Sequence, residues 1–520
     1  MRPEPGLRLS LARIGVALLA LAAIAVAVVD LRAGIAPLEI APFDTETARG
    51  TTPGTLYRLE GAPPGPVIVV AHGFAGSRQL MEPFSVTLAR NGYLVVAFDF
   101  AGHGRNPVPL AGDVSSTDGA TRNLLAEIDA VVAAADALAP DGTSVGLLGH
   151  SMATDIVIRR AVGRDDIAAT VAVSTGPWTI EELVTPDAPR NLLLIAGDLE
   201  GGLKEPSLEA VRLSAGEPVS EGVTYGAPAD GSARRAVWAD GVEHVGVLYS
   251  RESLAEALAW FDGVFEREGV GYLEVRGPSI LLLLAGIVAM GWPLAGLLPR
   301  LAEPPSRADK ARWRRFLGRA ALPAVLTPLL LWPVDTRFLP VLVADYLALH
   351  FLVYGAITGL LLWRDGLWRE GPRAAPGPFV LATLATVAWT TGALGLALDS
   401  WVASFWPHAG RATLIAALAA GTLAYLVTDE RLVRASSAPR GSAAASKLFM
   451  LVSLALAVAL NPSELFFLAI ITPVVVLFFL LYGLFAGWVY RATGHPGVAG
   501  VANALAFAWA LGVTFPLLGG

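Results

Sequence analysis

The chain has 520 residues, of which 54% are hydrophobic and 16% charged, against about 25% charged in an ordinary soluble domain. A net charge of −7, with no basic stripe beyond the loops between the long apolar runs, argues against nucleic acid as a partner. Cysteine is absent, which excludes a disulfide framework, a thiolate zinc site and a cysteine nucleophile.

Near the N-terminus, Arg2, Arg8 and Arg13 precede an apolar run over residues 14–29. One reading is a cleaved signal peptide with Ala25-Val26-Ala27 at the cleavage site. The other is a retained transmembrane anchor over residues 1–32. The anchor is preferred because the chain carries further apolar runs, and both readings put residue 33 onward outside the cytoplasm.

Residues 33–276 alternate strand and helix signals. The runs "PVIVVAHG", "YLVVAFDFAGHG", "SVGLLGHS", "ATVAVSTG", "NLLLIAGD" and "RRAVWADG" are short, apolar and rich in β-branched residues. Helical stretches such as "LMEPFSVTLARNG" and "RNLLAEIDAVVAAADALA" separate them. Apolar strands alternating with helices predict a mostly parallel sheet covered on both faces, a three-layer α/β sandwich.

Residues 277–520 form a predicted all-α polytopic transmembrane domain. Apolar runs of bilayer-spanning length fall at 279–299, 317–333, 338–362, 378–398, 411–428, 446–460, 464–489 and 498–518. The run 446–460 is short enough to be a tight span or a re-entrant piece, broken from the next by Asn461-Pro462. Positive charge alternates between the loops. Arg300, Arg307, Lys310, Arg312, Arg314, Arg315 and Arg319 occupy one, Arg364, Arg369 and Arg373 a second, and Arg431, Arg434, Arg440 and Lys447 a third. The positive-inside rule places these loops in the cytoplasm. Nine spans then put the N-terminus inside the cell and residues 33–276 outside. Asp345 and His350 are ionisable residues within one span. At five residues apart they sit about 140° from each other on a helix, which argues against a proton relay and for contacts with neighbouring helices. Asp399 falls at a span end and is expected at the interface.

In a parallel sheet, reactive residues gather at the carboxyl ends of the strands. After "VGLLG" comes His150-Ser151-Met152, then a helix near Ala153. The pattern is G-x-S-x-A, one methyl group away from a G-x-S-x-G nucleophile elbow, in which a sharp strand-to-helix turn projects the serine hydroxyl. "AHGFAGS" follows the first strand and "FDFAGHGRN" the second.

These strand ends, in this order, resemble the α/β-hydrolase superfamily over roughly residues 50–268. The resemblance implies Ser151 as nucleophile and an oxyanion hole made by the N–H groups of Met152 and Phe74. His72 and His103 then belong to structural turns, with Asn106 where serine is common. His244, in "DGVEHVGVLYS" after the last strand, takes the position of the general base. The acid is Glu200, three residues past the strand-ending Gly197, with Asp198 as the alternative. Glu243 is expected to be a surface residue. The implied activity is a serine hydrolase of esterase, lipase or peptidase type, acting through an acyl-enzyme, with no metal or cofactor.

Only "STGPWTIEELVTPDAPR" lies between the fourth and fifth strands, so no cap domain is expected. The insertion near residues 203–233 and the bilayer surface are the candidate roofs. Tethers at both ends of the domain suggest a small-molecule or lipid-like acyl substrate close to the bilayer. The rival readings are a transporter or lipid-handling protein with a hydrolase-like accessory domain, and an inactive hydrolase fold used as a scaffold. Oligomeric state is not legible.

Overall fold

The computed structural model describes residues 10–519 apart from 115, 140–143, 217, 305–312 and 370. Arg2, Arg8, Arg307, Lys310 and Arg312 therefore lie outside the described residues. The chain divides into two compact units.

The first is the sandwich, Val26–Leu281, joined by the short segments Leu398–Ser404 and Pro516–Gly520. Helix α1 (Leu11–Ile35) leads into it. Strand β1 (Leu38–Pro42), the hairpin β2 (Thr45–Thr47) and β3 (Gly50–Thr52), and β4 (Gly54–Leu59) follow. Then come β5 (Val67–Ala71), α2 (Glu82–Arg90), β6 (Leu94–Phe98), the short β7 (Leu110–Ala111) and α3 (Arg122–Asp136). The second half runs β8 (Val145–His150), α4 (Met152–Ala161), β9 (Ile167–Val173), α5 (Pro177–Leu183) and β10 (Leu192–Gly197). Helix α6 (Gly201–Ala215), β11 (Arg234–Ala239) and α7 (Arg251–Val264) complete it.

Eight strands form one sheet in the order β1-β4-β6-β5-β8-β9-β10-β11. The six apolar runs are its parallel strands, β5, β6, β8, β9, β10 and β11, and β1 and β4 add an antiparallel edge. Every residue of β5, β6, β8 and β10 is buried, because helices cover both faces. One core layer packs Ile68, Val70, Val95 and Leu148 against α2 and α7, and the other packs Val67, Val69, Val96 and Leu147 against α3 and α4.

The stretch after α6 does not roof the sheet. Gly222 N–H donates to Ala236 O at 2.9 Å, and Tyr225 and Arg234 exchange backbone bonds of 2.9 and 2.8 Å. The segment thus runs along β11 and pairs the otherwise open edge of the sheet. The roof expected over 203–233 reduces to the first turn of α6.

The second unit is helical: Met1–Ala25, Leu282–Ala397 and Phe405–Phe515. Its helices are α8 (Gly277–Ala295), α9 (Trp313–Leu331), α10 (Ala344–Arg364), α11 (Pro376–Val387), α12 (Leu394–Trp401), α13 (Ala412–Val433), α14 (Ser442–Leu460), α15 (Pro462–Thr493) and α16 (Pro496–Thr514). A π-helical stretch, Ala388–Ala393, fuses α11 to α12. With α1, eight described helices are long and apolar enough to cross a membrane. Helix α9 is not among them, since Arg314, Arg315 and Arg319 occupy its first two turns. Residues 446–460 belong to a regular 19-residue helix, and Asn461 alone separates α14 from α15. The last run stops at Thr514, because Pro516 cannot continue a helix. His350 Nε2 lies 3.0 Å from Ser453 Oγ on α14, and Asp345 accepts from the Phe338 and Tyr346 amides at 3.2 and 2.8 Å. Neither side chain bonds the other.

Candidate active site

Ser151 stands between β8 and α4 with φ 55° and ψ −119°. This left-handed conformation is costly for a non-glycine residue and is held by its surroundings. The Ser151 N–H donates to Val173 O on the neighbouring strand at 2.8 Å, and Ser151 O accepts from Thr154 N–H at 2.9 Å. The close approach of strand and helix explains the small flanking residues. A Cβ built on Gly149 would lie 2.7 Å from Ala153 O and 2.9 Å from Val157 Cγ2. The Ala153 methyl is itself fully buried in the α3–α4 core layer. Glycine is therefore demanded at 149 and not at 153.

His244 follows β11 and faces the elbow. Ser151 Oγ lies 2.9 Å from His244 Nε2, and His244 Nδ1 lies 2.6 Å from Glu200 Oε1. With Nδ1–H donating to the carboxylate, Nε2 is left to accept from the serine hydroxyl. Glu200 immediately precedes α6, and its second oxygen accepts from Ser174 Oγ–H at 2.6 Å and from Gly197 N–H at 2.8 Å. Burial alone would raise this carboxyl, but the bonds from His244, Ser174 and Gly197 outweigh it and hold its pKa below the ordinary value. Gly197 also lets the base loop come close, since a Cβ there would meet Val242 O at 2.4 Å.

Asp198 points elsewhere. Its carboxylate pairs with Lys204 Nζ at 2.5 Å and is 45% exposed. Glu243 accepts from the Val245 and Gly246 amides at 2.9 and 2.8 Å and so caps the turn that carries the base.

The turn after β5 presses against the elbow. A Cβ on Gly73 would sit 2.9 Å from Ser151 Cβ and 3.0 Å from His150 Nδ1. Phe74 is the next residue. Met152 opens α4, where the first amides have no partner within the helix. His72 lies beneath. Its Nε2 accepts from Phe100 N–H at 3.0 Å and its Nδ1–H donates to Gly73 O at 2.7 Å. Burial lowers its pKa, so it serves as a neutral strut between the two turns. His103 Nδ1 bonds Ala101 O at 2.9 Å within its own turn. Asn106 donates to Asp99 O and to the buried Glu127, at 2.9 and 3.0 Å.

Two contributors were not foreseen. Ser174, at φ 60° after β9, supports Glu200, and only its place at a strand end hinted at a role. His150, the residue before the nucleophile, bonds the main chain of the base loop through its ring.

The crevice beside Ser151 has a volume of about 430 Å³. Ser151, Glu200 and His244 are among its lining residues, and Met152, Trp178, Leu199 and Leu203 contribute apolar surface. Trp178 and Leu199 are 67% and 65% exposed at its mouth.

Residues 62–204 match the family model described as serine aminopeptidase, S33. The domain has the α/β-hydrolase fold. The match runs from just before β5 to the start of α6, so it includes Ser151 and Glu200 and stops before His244. Among solved structures, the domain is similar to a Pyrococcus furiosus esterase, at 18% identity, over 43% of this chain and 92% of that one, with a TM-score of 0.33. It is similar to a bacterial membrane phospholipase A, at 16% identity, over 48% and 92%, with a TM-score of 0.31. It is also similar to an epoxide hydrolase from Vigna radiata, at 14% identity, over 44% and 98%, with a TM-score of 0.31. No curated protein matches the chain.

Proposed function

We propose that this chain is a membrane-bound serine hydrolase that cleaves an ester or amide with an apolar acyl group, working outside the cytoplasm. The observation that carries the reading is the line Ser151 Oγ–His244 Nε2, His244 Nδ1–Glu200 Oε1, at 2.9 and 2.6 Å beside a crevice. Ser151 Oγ attacks the substrate carbonyl while His244 Nε2 takes its proton. Ionised Glu200 holds the imidazole in the tautomer this needs and stabilises the imidazolium. The N–H groups of Met152 and Phe74 receive the charge developing on the carbonyl oxygen. His244 then returns the proton to the leaving alcohol or amine, which departs and leaves an acyl-serine. Water, deprotonated by the same histidine, attacks the acyl-serine and frees the acid and Ser151.

Eight helices of spanning length support membrane insertion. The arginine- and lysine-rich loops support an N-terminus and basic loops inside the cell, an arrangement in which α9, with its arginines at the cytoplasmic end, crosses as a ninth span. Apolar walls at Met152, Trp178, Leu199 and Leu203 support a lipid-like acyl group, taken from the bilayer surface.

The test is labelling of membranes with a fluorophosphonate probe. Wild type should label, and Ser151→Ala and His244→Ala should not. Folded wild type that stays unlabelled would sink the hydrolase reading and favour a scaffold. The natural chain has no cysteine, so single introduced cysteines report topology directly. Glu60→Cys should react with an impermeant maleimide on intact cells, and Glu303→Cys only after lysis. The reverse pattern overturns the orientation.

A further inference from the structure

The turn bearing Phe74 is gripped on two sides by residues from far along the chain. On one side, Ser404 N–H donates to Ser77 Oγ at 3.1 Å, and Ser404 Oγ–H donates to Gln79 Oε1 at 2.8 Å. All three side chains are buried. On the other side, the Phe74 ring meets the His103 ring edge-on, with centroids 5.6 Å apart. The turn of His103 is in its own right held from outside. Leu517 N–H donates to Gly102 O at 2.9 Å, and Leu517 O accepts from Leu110 N–H at 2.8 Å. Leu518 and Gly519 continue this as a strand, β12, parallel to β7. Gly102 has φ 78°, and a Cβ there would lie 2.5 Å from Leu517 O, so the contact requires glycine. Asp399 pairs with Arg105 on the same turn at 2.6 Å.

Local bonds hold the two ends of the Phe74 turn. Gly76 N–H closes it on Gly73 O at 3.0 Å, and Asp99 fixes its far end through the Arg78 amide at 2.7 Å. Ser404 and the His103 turn act on the stretch between and beside these points.

We propose that Leu398–Ser404 and Pro516–Gly519 form a two-point clamp that sets the Phe74 amide against the substrate oxygen, so that the hydrolysis rate depends on the C-terminal half of the chain. This rests on the reading of Phe74 N–H as an oxyanion donor. One such donor is worth about 10²–10³ in kcat, and a displacement of 1 Å can cost about 10²-fold. The clamp residues touch no substrate, and their role is positioning.

The experiment uses the full chain in membranes or detergent and a soluble p-nitrophenyl ester. Turnover is normalised to fluorophosphonate-titrated serine, and the melting temperature is followed in parallel. Arg105→Asp and Asp399→Arg should each lower kcat about tenfold with KM nearly unchanged, and the double exchange should restore most of it. Ser404→Ala, a milder change, should lower kcat severalfold and keeps the test open should a charge reversal fail to fold. A merely structural role would lower melting temperature and the number of titrated sites but leave kcat per site unmoved, and that result overturns the clamp. Active wild type with indifferent variants overturns the clamp alone, whereas inactive wild type removes the hydrolase reading and the clamp with it.

Discussion

His150 Nε2 lies 2.9 Å from the main-chain oxygen of His244. A carbonyl can only accept, so Nε2 carries the proton, and the ring donates to the loop that carries the proposed base. The Nδ1 atom is buried with no hydrogen-bond partner among the described residues. Burial, and then the neighbouring His244, push the pKa of His150 down to about 3. The native ring therefore stays neutral, while in the unfolded chain it takes a proton below about 6.5. A depressed native pKa means that stability is present above the unfolded pKa and is lost as pH falls. The slope from this one group approaches about 1.4 kcal/mol per pH unit between pH 6.5 and 3. Thermal melts of wild type and His150→Gln should converge as the pH is lowered from 7 to 5. The variant should also lose activity, about tenfold, because the base loop loses its tether. Parallel melting curves across that pH range would refute the assignment.

Glu200 and Asp198 are two residues apart and have different partners. Glu200 is bonded to His244, Ser174 and Gly197, whereas Asp198 faces Lys204. Glu200→Gln should lower kcat by about 10³–10⁴ with little change in fold, since the amide can favour the wrong imidazole tautomer. Asp198→Asn should stay within about twofold of wild type, as expected for an exposed ion pair. Equal losses in the two variants would contradict the division of roles.

The elbow makes a sharper prediction about packing. Gly149→Ala would drive a methyl into Ala153 O and Val157. It should cost about 1–3 kcal/mol in chemical denaturation and displace the elbow. Ala153→Gly removes a buried methyl from a helix and should cost about 1 kcal/mol while leaving hydrolysis intact. Stability unaffected by Gly149→Ala would show that the strand and helix can part there.

The parallel strands were legible because Val67–Ala71 and its counterparts are buried on both faces and read as unbroken apolar runs. The Gly197-to-Glu200 spacing was legible because a strand end and a following acid recur at this position in the fold. The edge strands β1 and β4 were not, since "LEIAP" and "GTLYRL" mix polar and apolar residues too briefly to carry a period. Ser174 was hidden because its use depends on a turn geometry that a serine does not announce. The grip of Ser404 on Ser77 spans 327 residues, and no local pattern reports such a pairing. Residues 516–518 read as the tail of a span because Leu517 and Leu518 are apolar, yet they lead into and begin the strand Leu518–Gly519 once Pro516 ends the helix.

Trp178 offers the most direct probe of what enters the crevice. It is the second residue of α5, and its ring folds back over Gly176, where a Cβ would lie 2.4 Å from Cζ2. Glycine thus allows the indole to lie close against the turn after β9, with 67% of the residue still exposed beside the crevice. An exposed indole there is positioned to cover an acyl chain extending past Met152 and Leu203. Covering two methylenes would contribute about 1.6 kcal/mol, or somewhat more than tenfold in kcat/KM. An acetyl group carries no methylenes for the ring to cover. Trp178→Ala should therefore lower kcat/KM for an octanoyl ester about tenfold and leave that for an acetyl ester nearly unchanged. Trp178→Phe should retain most of the difference. If both esters suffer equally, the ring supports the fold of the crevice and does not select the acyl chain.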